Sequence, residues 1–215
     1  MWAQHKVKSN YEKYAQVRST SGKTGREVAE EILHANGIYD VDVVKGEGFL
    51  TDHYDPKKKV VCLSPANFDR PSVAGTAIAA HEVGHAIQHQ QGYAFLRFRS
   101  ALVPLANLGS SLSYMIIMLG IILTAMGSAF GSTALWIGAG LMSLAVLFSI
   151  VTLPVEFDAS SRAMKQITAL NIVNEKEYKH AKKVLSAAAM TYVAATATAV
   201  AELVRIILIA KASDN

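Results

Sequence analysis

The hydrophobic and polar positions near the start of the chain predict a small polar head built from helices and short strands. Apolar residues at helical spacing predict helices, and alternation of apolar and polar residues between turn signals predicts strands. Thr24 is the expected N-cap of the second helix, and Gly37 is its expected end. The predicted elements are helices over 5–18, 24–37 and 72–90 and strands over 41–44, 48–50 and 59–63.

The middle of the chain predicts a membrane-embedded pair of helices. Residues 100–155 contain no Asp, Glu, Lys or Arg. A segment of this length without charge is not compatible with the surface of a water-soluble protein. The two apolar runs, 105–127 and 133–153, are each long enough to cross about 30 Å of hydrocarbon. Because the joint between them is short, we expect a transmembrane hairpin that returns the chain to the side it left. Pro154 is then expected to open a new polar helix.

The end of the chain is a second apolar region with two charges in it. Residues 184–210 are largely apolar but include Glu202 and Arg205, so the stretch is either a third span or a helix on the membrane surface. The predicted fold class is a mainly α integral membrane protein with a polar head. The predicted divisions are a head over 1–99, the hairpin over 100–155, polar helices over 156–183 and the apolar helix over 184–210.

Charge and cysteine content exclude several classes of protein. The net charge is +4, but the basic residues are spread over all polar segments, and the "KKK" run at 57–59 has no interleaved aromatic residues. This distribution favours orientation in a membrane over nucleic-acid binding. A single cysteine, Cys62, excludes an internal disulfide and a cysteine-based zinc cluster. The opening "MWAQHKVKSNYEKY" lacks the apolar core of a signal peptide, so insertion is expected to depend on later segments or on an upstream helix.

The stretch "AAHEVGHAIQ" carries the candidate chemistry. His81 and His85 lie four residues apart, so a helix places both imidazoles on one face, where they can reach a single zinc ion. Glu82 points beside the metal and can take a proton from a metal-bound water. The alternative, two solvent-facing histidines, fits poorly because this helix is apolar nearly all round. Buried imidazoles and a carboxylate need polar partners, and a metal supplies one.

A third ligand is expected from beyond the apolar hairpin. His89 lies about 12 Å along the helix axis from His81, too far to complete a tetrahedron. Glu156 is the first charged residue after the hairpin, which returns it to the same membrane face. Asp158 is the competing acid, although two residues further along a helix it points elsewhere. An acid stabilising a helix start is the other interpretation of Glu156.

Three stretches of the chain resemble the YugP-type bacterial membrane zinc metallopeptidases. "AAHEVGHAIQ" resembles their active-site motif, "LTDHYDPKKKVVCLS" a stretch upstream of it, and "LPVEFDASSRA" the segment after the hairpin. The resemblance covers nearly the whole chain. It implies a zincin-like head with one zinc ion held by His81, His85 and Glu156, and with Glu82 as the catalytic base. Members usually begin with an N-terminal membrane helix, so the chain is expected to derive from a longer protein.

A more distant similarity is to the HtpX-type membrane peptidases. Their third ligand lies in an E-x-x-A-D pattern, and the matching positions here are Glu156, Ala159 and Ser160. Ser160 departs from the aspartate of that pattern.

The reaction that these residues predict is hydrolysis of peptide bonds. The strand "KVVCLS" is expected to be an edge strand that pairs with an extended substrate. His53, Tyr54 and His180 are further candidates for contacts with the transition state or substrate. The ordinary interpretation of each is a polar residue in a turn or on a surface helix.

Charge also predicts the location and partners of the site. The hairpin joint has no Lys or Arg, so the positive-inside rule places the zinc site at the cytoplasmic face of a multi-pass protein of the bacterial cell membrane. The expected partners are a polypeptide substrate and the lipid bilayer, with a homo-oligomer or a regulatory membrane protein left open. The alternative function is a non-catalytic membrane adaptor with a structural zinc ion. Structural sites usually fill four positions with Cys or His, and they give Glu82 no role.

Overall fold

The structure, a computed structural model, describes residues 2–214, and the described chain is mainly helical. It divides into two compact units, one formed by the chain up to Leu96 with Pro154–Thr191 and one formed by Arg97–Leu153 with the chain from Tyr192 onward. The elements are α1 (Trp2–Ala15), α2 (Gly25–Ala35), β1 (Asp42–Lys45), β2 (His53–Asp55), β3 (Val60–Leu63), α3 (Pro65–Asp69), α4 (Val73–Gln90), α5 (Ala94–Ala125), α6 (Phe130–Ala169) and α7 (Glu175–Ser213).

The two predicted head helices with clear end signals begin and end close to the expected residues. The Thr24 hydroxyl accepts a hydrogen bond from the Glu27 backbone, and the Glu27 carboxylate accepts one from the Thr24 backbone, so α2 begins with a capping box. Gly37 follows α2 with a φ of 69°. Ser72 caps α4 by accepting from the Gly75 backbone at 3.0 Å.

The sheet corrects two predictions about strands. The predicted strand 48–50 is wrong because Gly48 and Leu50 have φ values of 90° and 54°, which extended backbone cannot accommodate. The second strand is β2 instead, and the strand order is β1-β3-β2. β3 pairs in parallel with β1 and antiparallel with β2, so it occupies the centre. The prediction that "KVVCLS" forms an edge strand is therefore also wrong.

The core of the first unit is organised around α4. Val73, Ala77, Val83 and Ile87 on this helix are at most 2% exposed, and they belong to one cluster with buried residues of α2, β3, α6 and α7. Burying a helix on nearly all sides fits its apolar sequence. The polar residues of α4 therefore lie in an apolar environment, where they need partners within the protein.

α6 runs without a break through Pro154, so the prediction that this proline opens a new helix is wrong. A proline inside a helix removes one backbone donor, but it does not end a helix that is supported by packing on both sides of it. Val151 and Val155, which flank the proline, are both buried. One continuous helix therefore carries both the apolar segment and the acidic segment that follows it.

The second unit is an assembly of apolar helical segments with close backbone approaches. A Cβ added to Gly109 would lie 2.6 Å from the Leu141 carbonyl oxygen, and one added to Gly120 would lie 2.9 Å from Leu135. Glycines at these points let α5 and α6 pack closely, as small residues do in membrane helices. α5, α6 and α7 are each long and apolar enough to cross a membrane. Large apolar side chains such as Leu108 remain exposed.

Candidate metal centre

The α4 helix contributes two imidazoles to one face. His81 and His85 are one helical turn apart, and their ring centroids are separated by 4.8 Å with the planes at 81°. Their side chains are 14% and 11% exposed, so both rings are largely shielded from bulk water. This placement follows directly from the HExxH spacing on a regular helix.

The α6 helix brings a carboxylate to the same point. Glu156 Oε2 lies 3.3 Å from His81 Nε2 and 3.6 Å from His85 Nε2, and the Glu156 side chain is 4% exposed. One ligand atom from each of these three residues lies within 4.8 Å of the other two. The structure thus brings together the three residues that the sequence nominated as ligands.

The spacing and chemistry of the three donors fit a zinc ion. Zinc bonds of about 2.0–2.2 Å at tetrahedral angles require neighbouring ligand atoms to be about 3.4 Å apart. The two distances from the Glu156 oxygen to the imidazole nitrogens, 3.3 and 3.6 Å, bracket that value. Two neutral imidazoles and one carboxylate also form the His₂Glu set of some catalytic zinc sites, which leaves a fourth position for water or substrate.

Gly84 allows α4 and α6 to approach closely enough for this arrangement. A Cβ on Gly84 would lie 2.6 Å from the backbone oxygen of Ala159, closer than any real side chain could sit. Gly84 lies between the two histidines, and Ala159 lies one turn beyond Glu156. The glycine of the motif is therefore required by the helix crossing that positions the carboxylate.

Gln88 fixes the orientation of the second imidazole. Its Oε1 lies 3.0 Å from His85 Nδ1, and its Nε2 donates to the Val155 carbonyl and to Asp158 Oδ2, both at 2.8 Å. Because both amide hydrogens are engaged, Oε1 must accept, so His85 carries its proton on Nδ1 and turns Nε2 towards Glu156. Gln88 is fully buried.

The first imidazole is held by Ser160. Its Oγ lies 3.2 Å from His81 Nδ1, again on the side of the ring away from Glu156. The residue that departs from the E-x-x-A-D pattern therefore still supplies a polar partner to a candidate ligand. A hydroxyl is a neutral acceptor and is weaker than the aspartate of that pattern.

The acids and imidazoles of the centre shift one another's ionisation. Burial raises the pKa of Glu82 above its usual range. Burial alone would raise the pKa of Glu156 too, but hydrogen bonds with His81 and His85 outweigh it and hold that pKa well below normal. Burial alone would lower the pKa of His85, but the contact with Glu156 raises it. The site therefore favours an anionic Glu156, and Glu82 has the raised proton affinity that a general base needs.

The remaining candidates lie outside the group of ligand atoms. The Tyr54 hydroxyl is 2.8 Å from His89 Nδ1, so it links β2 to the end of α4, and burial is the main reason that the pKa of Tyr54 rises to about 12. His53 is exposed on β2, and its ring contacts a nearby backbone carbonyl. His180 stacks on Tyr14 with 4.6 Å between ring centroids. The substrate-contact roles of His53, Tyr54 and His180 stay predictions.

Asp158, the acid that competes with Glu156 as third ligand, has other partners. Asp158 accepts hydrogen bonds from Gln88 and from Arg162, so it supports the glutamine that holds His85.

Sequence reasoning missed Gln88 altogether. The available signal was its position three residues after His85, which places it on the same face of the helix.

Comparisons with known proteins identify the family of this chain. A family model described as "Putative neutral zinc metallopeptidase" matches residues 1–211. A relative in Bacillus subtilis (strain 168), named "Putative membrane protease YugP", is 44% identical over 208 residues, which cover 97% of this chain and 90% of the relative. No solved structure was found to match the chain. The chain therefore belongs to the family described as "Putative neutral zinc metallopeptidase".

Proposed function

We propose that this chain is a membrane-embedded zinc endopeptidase of the HExxH-plus-Glu type. The observation that carries the proposal is the convergence of His81, His85 and Glu156, with Glu82 adjoining them on α4. The donor spacing fits zinc, and the family and the relative's name point to zinc-dependent proteolysis. A non-catalytic adaptor with structural zinc is not favoured, because three protein ligands leave a position open.

Each residue has a distinct part in the reaction. His81, His85 and Glu156 would hold the ion, which when bound polarises the scissile carbonyl and makes water more acidic. Glu82 takes a proton from the attacking water and delivers it to the leaving amine. Gln88 and Ser160 keep the two imidazoles oriented. Tyr54, His53 and His180 remain weaker candidates for substrate or transition-state contacts.

The proposed topology is a multi-pass protein of the bacterial cell membrane with its active site at the cytoplasmic face. We infer a transmembrane hairpin from the apolar parts of α5 and α6 and a third span from α7, on length and composition. The joint of the hairpin has no Lys or Arg, whereas the polar segments flanking the site do, and this difference supports the orientation. The substrates proposed are membrane proteins or membrane-associated polypeptides, because the proposed zinc ligand Glu156 follows directly on an apolar segment.

The experiment that tests the activity is a comparison of the wild-type protein with Glu82→Gln. Both are purified in a neutral detergent, and zinc content and casein digestion are measured. The enzyme hypothesis predicts one zinc per chain in both proteins, with digestion reduced about 10²–10⁴-fold in the variant. Equal digestion by the two proteins contradicts catalysis by Glu82. If purified, zinc-loaded wild type digests neither casein nor itself, the adaptor alternative gains support.

A further inference from the structure

A groove between α1 and α7 in the first unit concentrates positive charge. It has a volume of about 710 Å³ and is called the basic groove here. A cavity of this size accommodates a small organic ligand and is larger than a single inorganic ion requires. None of the described residues that line it is acidic. Its lining includes Lys6, Lys13, Lys179, Lys182 and Lys183.

Most lysines of the groove are not neutralised by an acid among the described residues. Apart from Lys6, none of its lysines forms an ion pair with any described residue. Three of the four acids on the same two helices have other partners: Glu12 lies 3.8 Å from Lys8, Glu202 pairs with Arg205, and Glu177 accepts hydrogen bonds from the Thr20 backbone and hydroxyl at 2.6 and 2.7 Å. The fourth, Glu175, is exposed and forms no ion pair with any described residue. An uncompensated cluster of this kind attracts a multivalent or diffuse anionic group.

The pKa of His180 reflects the positive charge of nearby lysines. Its Nδ1 is buried and has no hydrogen-bond partner among the described residues, and its ring stacks on Tyr14 beneath the groove. Burial is the main reason that the pKa of His180 is lowered, and Lys176, Lys183 and Lys13 lower it further. The local potential therefore disfavours any further positive charge.

Apolar residues also line the groove, on the helix that continues into the candidate span of α7. Ala187 and Met190 line the groove on the same helix as three of its lysines. Residues 184–201 contain no charged residue, so this uncharged stretch starts immediately after Lys183. Lysines that directly precede a membrane span lie at the depth of lipid headgroups, where they attract anionic lipids.

We propose that the basic groove binds the phosphate headgroup of an anionic phospholipid, with the lysines around the phosphate and Ala187 and Met190 against the glycerol and upper acyl carbons. The amphipathic lining favours a lipid over a free phosphate, which has no apolar part to contact Met190. The proposal relies on the membrane location of α7 and not on peptide hydrolysis.

The test is lipid binding by the full chain purified in a neutral detergent and followed by native mass spectrometry. The probes are dioleoylphosphatidylglycerol and dioleoylphosphatidylcholine. We expect the wild type to bind the anionic lipid on the order of tenfold to a hundredfold more tightly. The triple variant Lys179→Gln, Lys182→Gln and Lys183→Gln should lose this preference. All three side chains are exposed, so folding should be retained, as checked by circular dichroism and gel filtration.

A matched triple variant carries the same charge change elsewhere. Lys57→Gln, Lys58→Gln and Lys165→Gln replace exposed lysines outside the groove, and this protein should keep the wild-type preference. A second groove variant, with arginine at the three groove positions, should also keep it because the charge is retained.

Three results would overturn the proposal. One is an unchanged lipid preference in the glutamine groove variant, and another is an equal loss in the matched triple. The third is binding of inorganic phosphate or glycerol 3-phosphate as tight as that of the lipid, which would indicate a site for soluble anions. Zinc content and casein digestion in detergent should not differ between the groove variants and wild type. Failure of lipid binding is therefore distinguishable from failure of the hydrolase proposal.

Discussion

Replacing Gly84 by alanine tests whether the crossing of α4 and α6 builds the metal centre. The new Cβ would lie 2.6 Å from the Ala159 carbonyl oxygen, whereas an ordinary contact needs about 3.4 Å. The helices must therefore separate by about 0.8 Å at this point. If the shift passes along α6 to Glu156, the 3.3 Å distance from its oxygen to His81 Nε2 grows to about 4.1 Å.

Such a separation is too large for a tetrahedral zinc ion with bonds of normal length. We expect zinc affinity to fall about 10–100-fold, as measured by competition with a chromophoric chelator. The matched control is Gly140→Ala on α6, because a Cβ there meets no atom within 4 Å. The control should bind zinc as wild type does. A folded, monodisperse Gly84→Ala protein with wild-type zinc affinity would refute the reasoning.

Three further predictions concern the support and ionisation of the site. Gln88→Ala should weaken zinc binding about 10–100-fold in the same chelator competition, because His85 loses the partner that orients its ring. Unchanged zinc affinity would show that Gln88 does not support the site. Ser160→Ala should weaken it less, since His81 loses only one neutral contact, and a loss larger than that of Gln88→Ala would contradict this ranking. The pKa values of His85 and Glu82 are both raised, so each contributes stability that is lost as pH rises through its folded pKa. As the pH rises above about 6.5, the ordinary His value, the melting temperature of chelator-treated protein should therefore fall more steeply than that of zinc-loaded protein; a rise would show the opposite linkage.

Local signals were sufficient to predict the helix that carries the motif. Ser72 supplies a side-chain acceptor at its start, Gly92 takes a φ of 63° after its end, and the histidine spacing defines one face. The proximity of Glu156 was also predictable, because an even number of membrane crossings brings a chain back to the side it left. The lengths of the two apolar runs are sufficient for this prediction, without knowledge of side-chain packing.

The errors occurred where nonlocal packing overrides local preference. Leu50 adopts a positive φ that a residue of its type rarely takes, so the strand expected there is displaced to His53–Asp55. Pro154 is a residue typical of helix starts, but packing on both sides keeps α6 continuous. The link from Gln88 to Asp158 joins residues 70 positions apart, and only the folded structure brings them together.

The central claim is that Glu156 completes a zinc site begun by His81 and His85. The most direct measurement is the zinc stoichiometry of Glu156→Ala compared with that of wild type. It is determined by inductively coupled plasma mass spectrometry after dialysis against a weak chelator. The control variant is Glu175→Ala, because Glu175 is an exposed acid at the start of α7. The account predicts about one zinc per chain in wild type and Glu175→Ala and a clear loss in Glu156→Ala. Full zinc retention by folded Glu156→Ala protein would contradict it.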